Sequence, residues 1–360
     1  MIAADRLPYI IALTHLYADR PRLAREVLQK YPDPQEAWER VALAGKSQSW
    51  ERAQQELEFI HKHSIGTYYL HDADYPQLLA QCPDAPVLLY TKGNINVRDG
   101  HFVSVVGTRQ PTERGKIVTR NIVLGLADRV SNLTIVSGLA YGIDITAHRA
   151  ALEAGIPTLI IPGHGLDRIY PAVHRREAVI ALEKGGILTE YMSGSTPEKH
   201  HFVARNRIIA GLSECTIVVE SRARGGSLIT ASMAFDYNRP VFAVPGRIDD
   251  ESSIGCNELI RNQKASLLQS PEDLIESMMW ATSARPIQTR IDGLETPADN
   301  DLDPNELTLL HLLRGEENGM LVNDLAEEAN ISYSDVITNL MQLEIKKLVK
   351  SFPGGKFMAL

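Results

Sequence analysis

The densest chemistry in this 360-residue chain lies in one run, Lys199-His200-His201-Phe202-Val203-Ala204-Arg205-Asn206-Arg207. Basic side chains beside a flat ring suit single-stranded nucleic acid: charge for the backbone, a face for a base. The competing assignment has a core Phe202, Arg205 and Arg207 paired with acids, and histidines that are merely exposed. A second set consists of strand-end turns rich in small residues. These are Gly107-Thr108-Arg109, Ser137-Gly138-Leu139-Ala140-Tyr141-Gly142, Pro162-Gly163-His164-Gly165, Arg224-Gly225-Gly226-Ser227 and Pro245-Gly246-Arg247. Glycine lets backbone approach a ligand closely, and the helix starts that follow offer unpaired N–H groups to an anion. One such turn needs no explanation beyond tight strand–helix geometry. Five on one edge, with Arg109 and Arg247 among them, favour anion binding. A third set, Asp144 and His148, stands four apart on one helical face. With no nucleophile or metal ligands nearby, we read it as a helix-start acid and a packed or hydrogen-bonded histidine. Glu190, Glu220 and Asp249 likewise lack catalytic company.

The elements that must position these residues are legible in the middle of the chain. Apolar runs at Phe102–Val106, Thr134–Val136, Thr158–Ile161, Gly186–Leu188, Thr216–Val219 and Val241–Val244 predict strands. Helical patterns at Glu113–Val130, Ile143–Ala154, Val173–Glu183, Ala204–Leu212 and Ser227–Tyr237 separate them, with a short one at Cys256–Asn262. Uninterrupted apolar strands alternating with helices mean a parallel sheet covered on both faces. Right-handed crossovers then make the fold class α/β, a Rossmann-like, doubly wound, mostly parallel sheet. All the strand-end turns fall on its carboxyl edge. Residues 1–65 read as a small helical domain. Residues 66–280 read as the Rossmann-like core, opening with a connecting stretch and a strand at Val87–Tyr90. A polar linker spans 281–303. Residues 304–360 read as three helices, Glu306–Leu313, Val322–Ala329 and Tyr333–Lys347, then a hairpin, the outline of a winged helix.

Charge divides the chain unevenly. The formal net charge is −8, which disfavours a generally basic nucleic-acid binder. Residues 1–100 carry −2, residues 101–270 carry +3, and residues 271–360 carry −9. Fifteen of the 19 basic residues in the middle block are arginines, whose planar fork suits phosphates and stacks on bases. No stretch reaches the ~18 apolar residues of a membrane span. The N-terminus has mixed charge and no small-residue cleavage site, so it is not expected to be a signal peptide. Cys82, Cys215 and Cys256 lie far apart, without CxxC spacing. A cytoplasmic location is expected, with no membrane partner. VVGTRQPTERG lacks the GxGxxG dinucleotide fingerprint, and no GxxxxGK[ST] run occurs. No cofactor or metal is expected.

Six segments in order carry a resemblance: GTRQPTERGK, SGLAYGIDITAHRAAL, GHGLDRIYP, ILTEYMSGSTPEKHHFVARNRIIAGLS, VVESRARGGSLITASMAF and VFAVPGRIDDESSIGCNELI. Together they resemble the DNA-processing protein A (DprA/Smf) family, closely over about residues 65–270 and loosely over the three-part layout. The resemblance implies a Rossmann-like core that binds single-stranded DNA without sequence preference. It implies a homodimer formed through that core, and loading of the RecA recombinase during natural transformation. No catalytic reaction goes with the family. Its DNA pocket maps onto Gly107, Thr108 and Arg109, the His164-Gly165 turn, Lys199 with Phe202, and Arg205, Asn206 and Arg207. The second glycine motif adds Gly226 and Ser227. This chain departs from the family in having Ala172 after Tyr170-Pro171, where a basic residue is common. It also lacks a glycine in the N-terminal turn Leu16–Pro21, so no helix–hairpin–helix grip is expected there. The acidic 304–360 segment is expected to face protein or act in regulation, since duplex-binding wings bring positive charge.

The rival reading is a nucleotide or phosphoribose hydrolase on the same sheet edge. Related phosphoribohydrolases carry PGGxGTxxE. The segment Arg224-Gly225-Gly226-Ser227-Leu228-Ile229-Thr230-Ala231 lacks the final acid. A transcription factor acting through its terminal domain is disfavoured by that domain's acidity.

Overall fold

The fold comes from a computed structural model, which describes residues 5–18, 20–41, 45–94, 96–280, 302–315, 319–346, 348–352 and 356–359. It divides into two compact units, Met1–Ala284 and Arg285–Leu360.

The first unit begins with helices α1 (Leu7–Leu16), α2 (Pro21–Lys30), α3 (Pro34–Arg40) and α4 (Lys46–His63). Proline at the first position starts α2 and α3, where its missing N–H is not needed. Asp33 caps α3 by accepting from the Gln35 N–H at 2.9 Å. Then follow β1 (Gly66–Tyr69), α5 (Gln77–Ala80), β2 (Leu88–Gly93), β3 (His101–Val106), α6 (Glu113–Arg129), β4 (Leu133–Ser137), α7 (Ile143–Ala154) and β5 (Thr158–Ile160). After a short 3₁₀ turn at Ala172–His174 come α8 (Arg175–Lys184), β6 (Gly186–Thr189), α9 (Lys199–Leu212), β7 (Cys215–Val218) and α10 (Gly226–Asp236). The unit closes with β8 (Val241–Ala243), α11 (Ile254–Arg261), β9 (Ser266–Leu267) and α12 (Pro271–Ser277).

The sheet order is β1-β2-β6-β5-β4-β3-β7-β8-β9. From β6 to β9 every pairing is parallel, and β1 and β2 add an antiparallel edge. The chain winds outward from β3 to β6, then crosses back to β7 beside β3. This is the doubly wound, Rossmann-like α/β sheet anticipated above, and the order reverses between β3 and β7. Alternation along β3 feeds both layers. Phe102 and Val106 meet α9 and α10, while Val103 and Val105 meet α6, α7 and α12. Helices α5 and α12 and strands β1 and β9 are not among the elements predicted from the sequence.

The four N-terminal helices do not form a separate core. Ile11, Leu13 and Ile60 share one cluster with Tyr69, Leu88 and Tyr90 of the antiparallel edge. A polar clamp completes the attachment. The buried Glu56 carboxylate on α4 accepts from the Ser193 N–H at 2.9 Å, from its hydroxyl, and from Arg52 Nη2 at 2.8 Å. Arg52 also donates to the Ser193 carbonyl and to its hydroxyl. The loop leading into α9 is thereby tied to α4.

The second unit contains α13 (Pro304–Gly315), β10 (Met320–Leu321), α14 (Val322–Ala329), α15 (Tyr333–Ile345), β11 (Val349–Phe352) and β12 (Lys356–Ala359). Its antiparallel sheet runs β10-β12-β11 around a core of Leu309, Leu313, Leu325, Val336 and Leu340. Most of the expected linker (residues 281–301) and the hairpin turn at residues 353–355 lie outside the described residues. Among the described residues, no helix is long and apolar enough to cross a membrane.

Candidate nucleic-acid interface

The turns after β3, β4 and β5 stand side by side because their strands are neighbours. The β3 turn is fixed on both sides. The Thr108 N–H donates to the Glu220 carbonyl at 2.8 Å, and the Thr108 carbonyl accepts from the Ile143 N–H at 3.1 Å. Glu220 also accepts from the Thr112 N–H at 2.9 Å and from its hydroxyl, which orders the start of α6. Gly142 permits this closeness. Its φ is +84°, and a Cβ there would stand 2.2 Å from the Thr108 carbonyl oxygen. The result is a rigid base for Arg109, whose side chain is exposed.

Helix α9 supplies the other wall. It begins at Lys199, earlier than the periodicity of Ala204–Leu212 implied, because Glu198 is extended and the following residues turn immediately. Lys199, Phe202 and Asn206 therefore share one helical stripe. The Phe202 ring packs over Gly163 in the β5 turn, where an added Cβ would lie 3.1 Å from ring Cδ1. The Arg109 guanidinium carbon is 5.8 Å from the Phe202 ring centre, that of Arg205 is 5.9 Å away, and the Tyr170 ring centre is 5.8 Å away. Tyr170 is 48% exposed, so the rings form an open surface. Among the described residues, neither Arg109 nor Lys199 has an acidic partner or a hydrogen bond.

Arg205 is a different kind of cation. It is only 3% exposed, and its Nε and Nη1 have no hydrogen-bond partner within the described protein. Burial lowers its pKa to about 10, with the Asp144 carboxylate working against that and Arg109 adding to it. Its guanidinium lies against the β4 turn at Gly138, where a Cβ would fall 1.6 Å from Nη1. The missing side chain at Gly138 thus leaves the room that the Arg205 guanidinium occupies, a role separate from turn geometry. Asp144 stands in the first turn of α7 and accepts from the N–H groups of Gly138 (3.2 Å) and Ala140 (3.4 Å) in the preceding β4 turn.

His164 is buried and plays a positioning part. The Tyr170 N–H donates to its Nε2 at 3.2 Å, so Nδ1 carries the proton and donates to the Gly165 carbonyl at 2.9 Å. Burial holds its pKa below the ordinary value. It ties the turn to the residue whose ring meets Phe202. A Cβ on Gly165 would strike the Met192 carbonyl at 2.2 Å, so this turn also rests on the loop before α9.

Not every sequence-selected residue joins this group. Arg207 leaves it. Its guanidinium forks onto both Glu190 oxygens and donates Nε to the Asp84 carbonyl at 3.0 Å, with 7% of the residue exposed. This is the acid pairing that the competing assignment allowed. The rotation between residues 202 and 207 puts Arg207 on another face of α9. Arg247 is committed to Asp249 at 3.0 and 3.1 Å. Gly226 and Ser227 follow β7, on the far side of β3 from the Gly138 and Gly163 turns. Ser227 is buried and donates to the Ser221 hydroxyl at 3.0 Å, while Gly226 is exposed. Tyr170 joins this group although the sequence analysis did not select it. Its sequence signal was its place directly after the His164 turn.

His148 sits below the turns, fully buried. Its Nδ1 donates to the Thr158 hydroxyl at 2.7 Å, since that hydroxyl itself donates to the Ile135 carbonyl. Burial, then Arg205, lowers its pKa to about 3. The folded imidazole stays neutral while the unfolded one, near 6.5, binds a proton. The unfolded state therefore gains protons as pH falls below about 6.5, and stability is lost down toward pH 3. Urea melts at pH 7, 6, 5 and 4 should show the wild type losing up to about 1.4 kcal/mol per pH unit more than His148→Gln below pH 6. Parallel pH profiles for the two proteins would refute this account.

Among the described residues no cluster of three or more histidine, cysteine or acidic side chains is arranged to hold a metal. The sequence model of the DNA recombination-mediator protein A family matches residues 66–279. The chain belongs to that family. The chain is 35% identical over 319 residues to Protein Smf of Synechocystis sp., covering 79% of this chain and 78% of the relative. It is 43% identical over 209 residues to the DNA processing protein DprA of Streptococcus pneumoniae, covering 58% and 73%. The X-ray structure of DprA from Streptococcus pneumoniae superposes with a TM-score of 0.65 at 36% identity, covering 75% of this chain and 97% of that one. DNA processing protein A from Helicobacter pylori, a structure addressing its single-stranded DNA binding mode, gives 0.54 at 30% identity, covering 60% and 95%.

Proposed function

We propose that this recombination mediator binds single-stranded DNA in the cradle formed by Arg109, Lys199, Phe202 and the glycine turns of β3 to β5. The observation that carries the reading is an open aromatic surface, Phe202 with Tyr170, flanked by two cations that no acid among the described residues neutralises. Arg109 and Lys199 take phosphates by charge-assisted bonds, and Phe202 stacks a base. Asn206, on the same helical stripe, and the N–H groups of Gly107 and Thr108 border the path. Arg205 supports Phe202 from the buried side, and Gly165 with His164 fixes the turn beneath it. Gly226 and Ser227 belong to the neighbouring β7 edge, where a strand leaving the cradle would pass. The Helicobacter pylori relative's single-stranded DNA binding supports this reading.

One pocket grips few nucleotides, so a homodimer setting two pockets on one strand raises avidity by roughly 10²–10⁴. The strand so held is presented to the RecA recombinase during natural transformation, in the cytoplasm, without a catalytic step. The C-terminal unit, with its helices and small antiparallel sheet, is a winged-helix-like domain that faces protein. Its helix α15 carries no lysine or arginine and exposes Tyr333, Met341 and Ile345. We retain the domain boundaries 1–65, 66–280, 281–303 and 304–360 as functional segments.

Filter binding of single- and double-stranded oligonucleotides over a salt series tests the reading. Single strands should be retained in preference to duplex. Arg109→Ala should weaken single-strand binding and reduce the log–log salt slope by about 0.7, the share of one phosphate. An unchanged slope with unchanged affinity removes Arg109 from the interface, and equal retention of duplex removes the whole reading.

A further inference from the structure

A second concavity lies on the other side of α9, between the N-terminal helices and the core. It holds about 760 Å³, within the range of small-molecule sites. Its floor and walls come from α1 and α2, the segment around Pro83–Leu88, the loop Glu190–Ser195 and the α9 face bearing His200, Ala204 and Arg207. Four arginines line it, Arg22, Arg25, Arg52 and Arg207, against two carboxylates, Asp84 and Glu190.

The carboxylates are already used. Glu190 is taken by Arg207, and Asp84 accepts from the Tyr237 hydroxyl at 2.7 Å. Arg52 is spent on Glu56 and Ser193. Arg25 gives Nη1 to the Cys82 carbonyl at 2.8 Å, leaving its other donors available. Arg22 is exposed and has no hydrogen bond or ion pair among the described residues. The cleft therefore carries surplus positive charge from two residues one helical turn apart. Beside that charge stand flat and apolar surfaces. Tyr191 and His201 have ring centres 4.2 Å apart, and Pro83, Ala85 and Pro86 form a wall. Bidentate cations next to planar surfaces recognise a phosphate joined to a base.

We propose that this interdomain cleft binds a nucleoside 5′-phosphate unit, with Arg22 and Arg25 on the phosphate and the Tyr191–His201 surface against the base. The site is distinct from the cradle, which uses the opposite face of α9. The unit comes either from a free mononucleotide or from a strand continuing out of the cradle.

The experiment uses full-length chains. Thymidine and adenosine 5′-monophosphates are titrated calorimetrically into a cradle variant, Arg109→Ala with Phe202→Ala, with and without Arg22→Ala and Arg25→Ala. A longer arm titrates thymidine oligonucleotides of increasing length into wild type and into the Arg22→Ala, Arg25→Ala protein. Saturable monophosphate binding by the cradle variant, weakened at least tenfold by the cleft substitutions, supports a free nucleotide. At least tenfold weakening confined to the longer oligonucleotides supports the continuing strand. Arg22→Glu alone, at an exposed position, should give the same loss without disturbing the melting temperature. Affinities for monophosphates and oligonucleotides that all stay within twofold when the cleft residues change overturn the proposal. Loss of monophosphate binding in the cradle variant, together with oligonucleotide affinities that stay within twofold when Arg22 and Arg25 are replaced, refutes the cleft and leaves the proposed cradle intact.

Discussion

Arg207→Ala is expected to destabilise the first unit by about 3–5 kcal/mol, the usual consequence of stranding one half of a buried ion pair. Glu190, whose side chain is only 15% exposed, would lose both charge-assisted hydrogen bonds. The Asp84 carbonyl would lose the Nε donor. Burial by itself disfavours the Arg207 charge, yet Glu190, followed by Asp84, raises its pKa above the ordinary value. Replacing both members, Arg207→Met with Glu190→Met, should recover most of the loss, because matched apolar groups remove the uncompensated charge. Urea unfolding measures both effects. The salt slope of single-strand binding should stay unchanged in any Arg207 variant that remains folded. A slope lowered by the share of one phosphate would return Arg207 to the DNA interface and contradict its structural assignment.

Phe202→Ala should weaken single-strand binding by roughly 1–3 kcal/mol, about 5- to 150-fold, with the salt slope preserved. Stacking contributes no counterion release, so affinity and slope should separate here, whereas they fall together for Arg109. Phe202→Leu distinguishes stacking from packing. Leucine keeps apolar contact with Gly163 but offers no flat face, so it should lose nearly as much affinity as alanine. Phe202→Tyr should bind close to wild type. Full affinity in Phe202→Leu would show that the ring acts only as a spacer between the helix and the β5 turn.

The contrast between Arg205, Arg207 and Lys199 shows what the sequence could and could not disclose. The apolar strand runs and the glycines after them determine a parallel sheet with its turns on one edge, and the structure has that sheet. Which arginine of α9 faces those turns depends on Glu190, 17 residues earlier, and on Gly138, whose missing side chain admits Arg205. Neither partnership is visible in local spacing. The start of α9 was misplaced because its first turn, Lys199–Phe202, has no buried apolar stripe to announce a helix. Helix α12 had a readable signal, the capping box of Ser270 with Asp273, obscured by the acidic residues around it. Strands β1 and β9 are short and partly or wholly exposed, so no apolar run marked them.

The shared packing of Ile11 and Ile60 with Leu88 and Tyr90 bears on any attempt to shorten the protein. The family signature opens at residue 66, a tempting place for scissors. A cut there would strip the cover from an oily flank and release the loop that Glu56 tethers ahead of Lys199. Trimming the helices is therefore an operation on the proposed cradle, carried out from a distance.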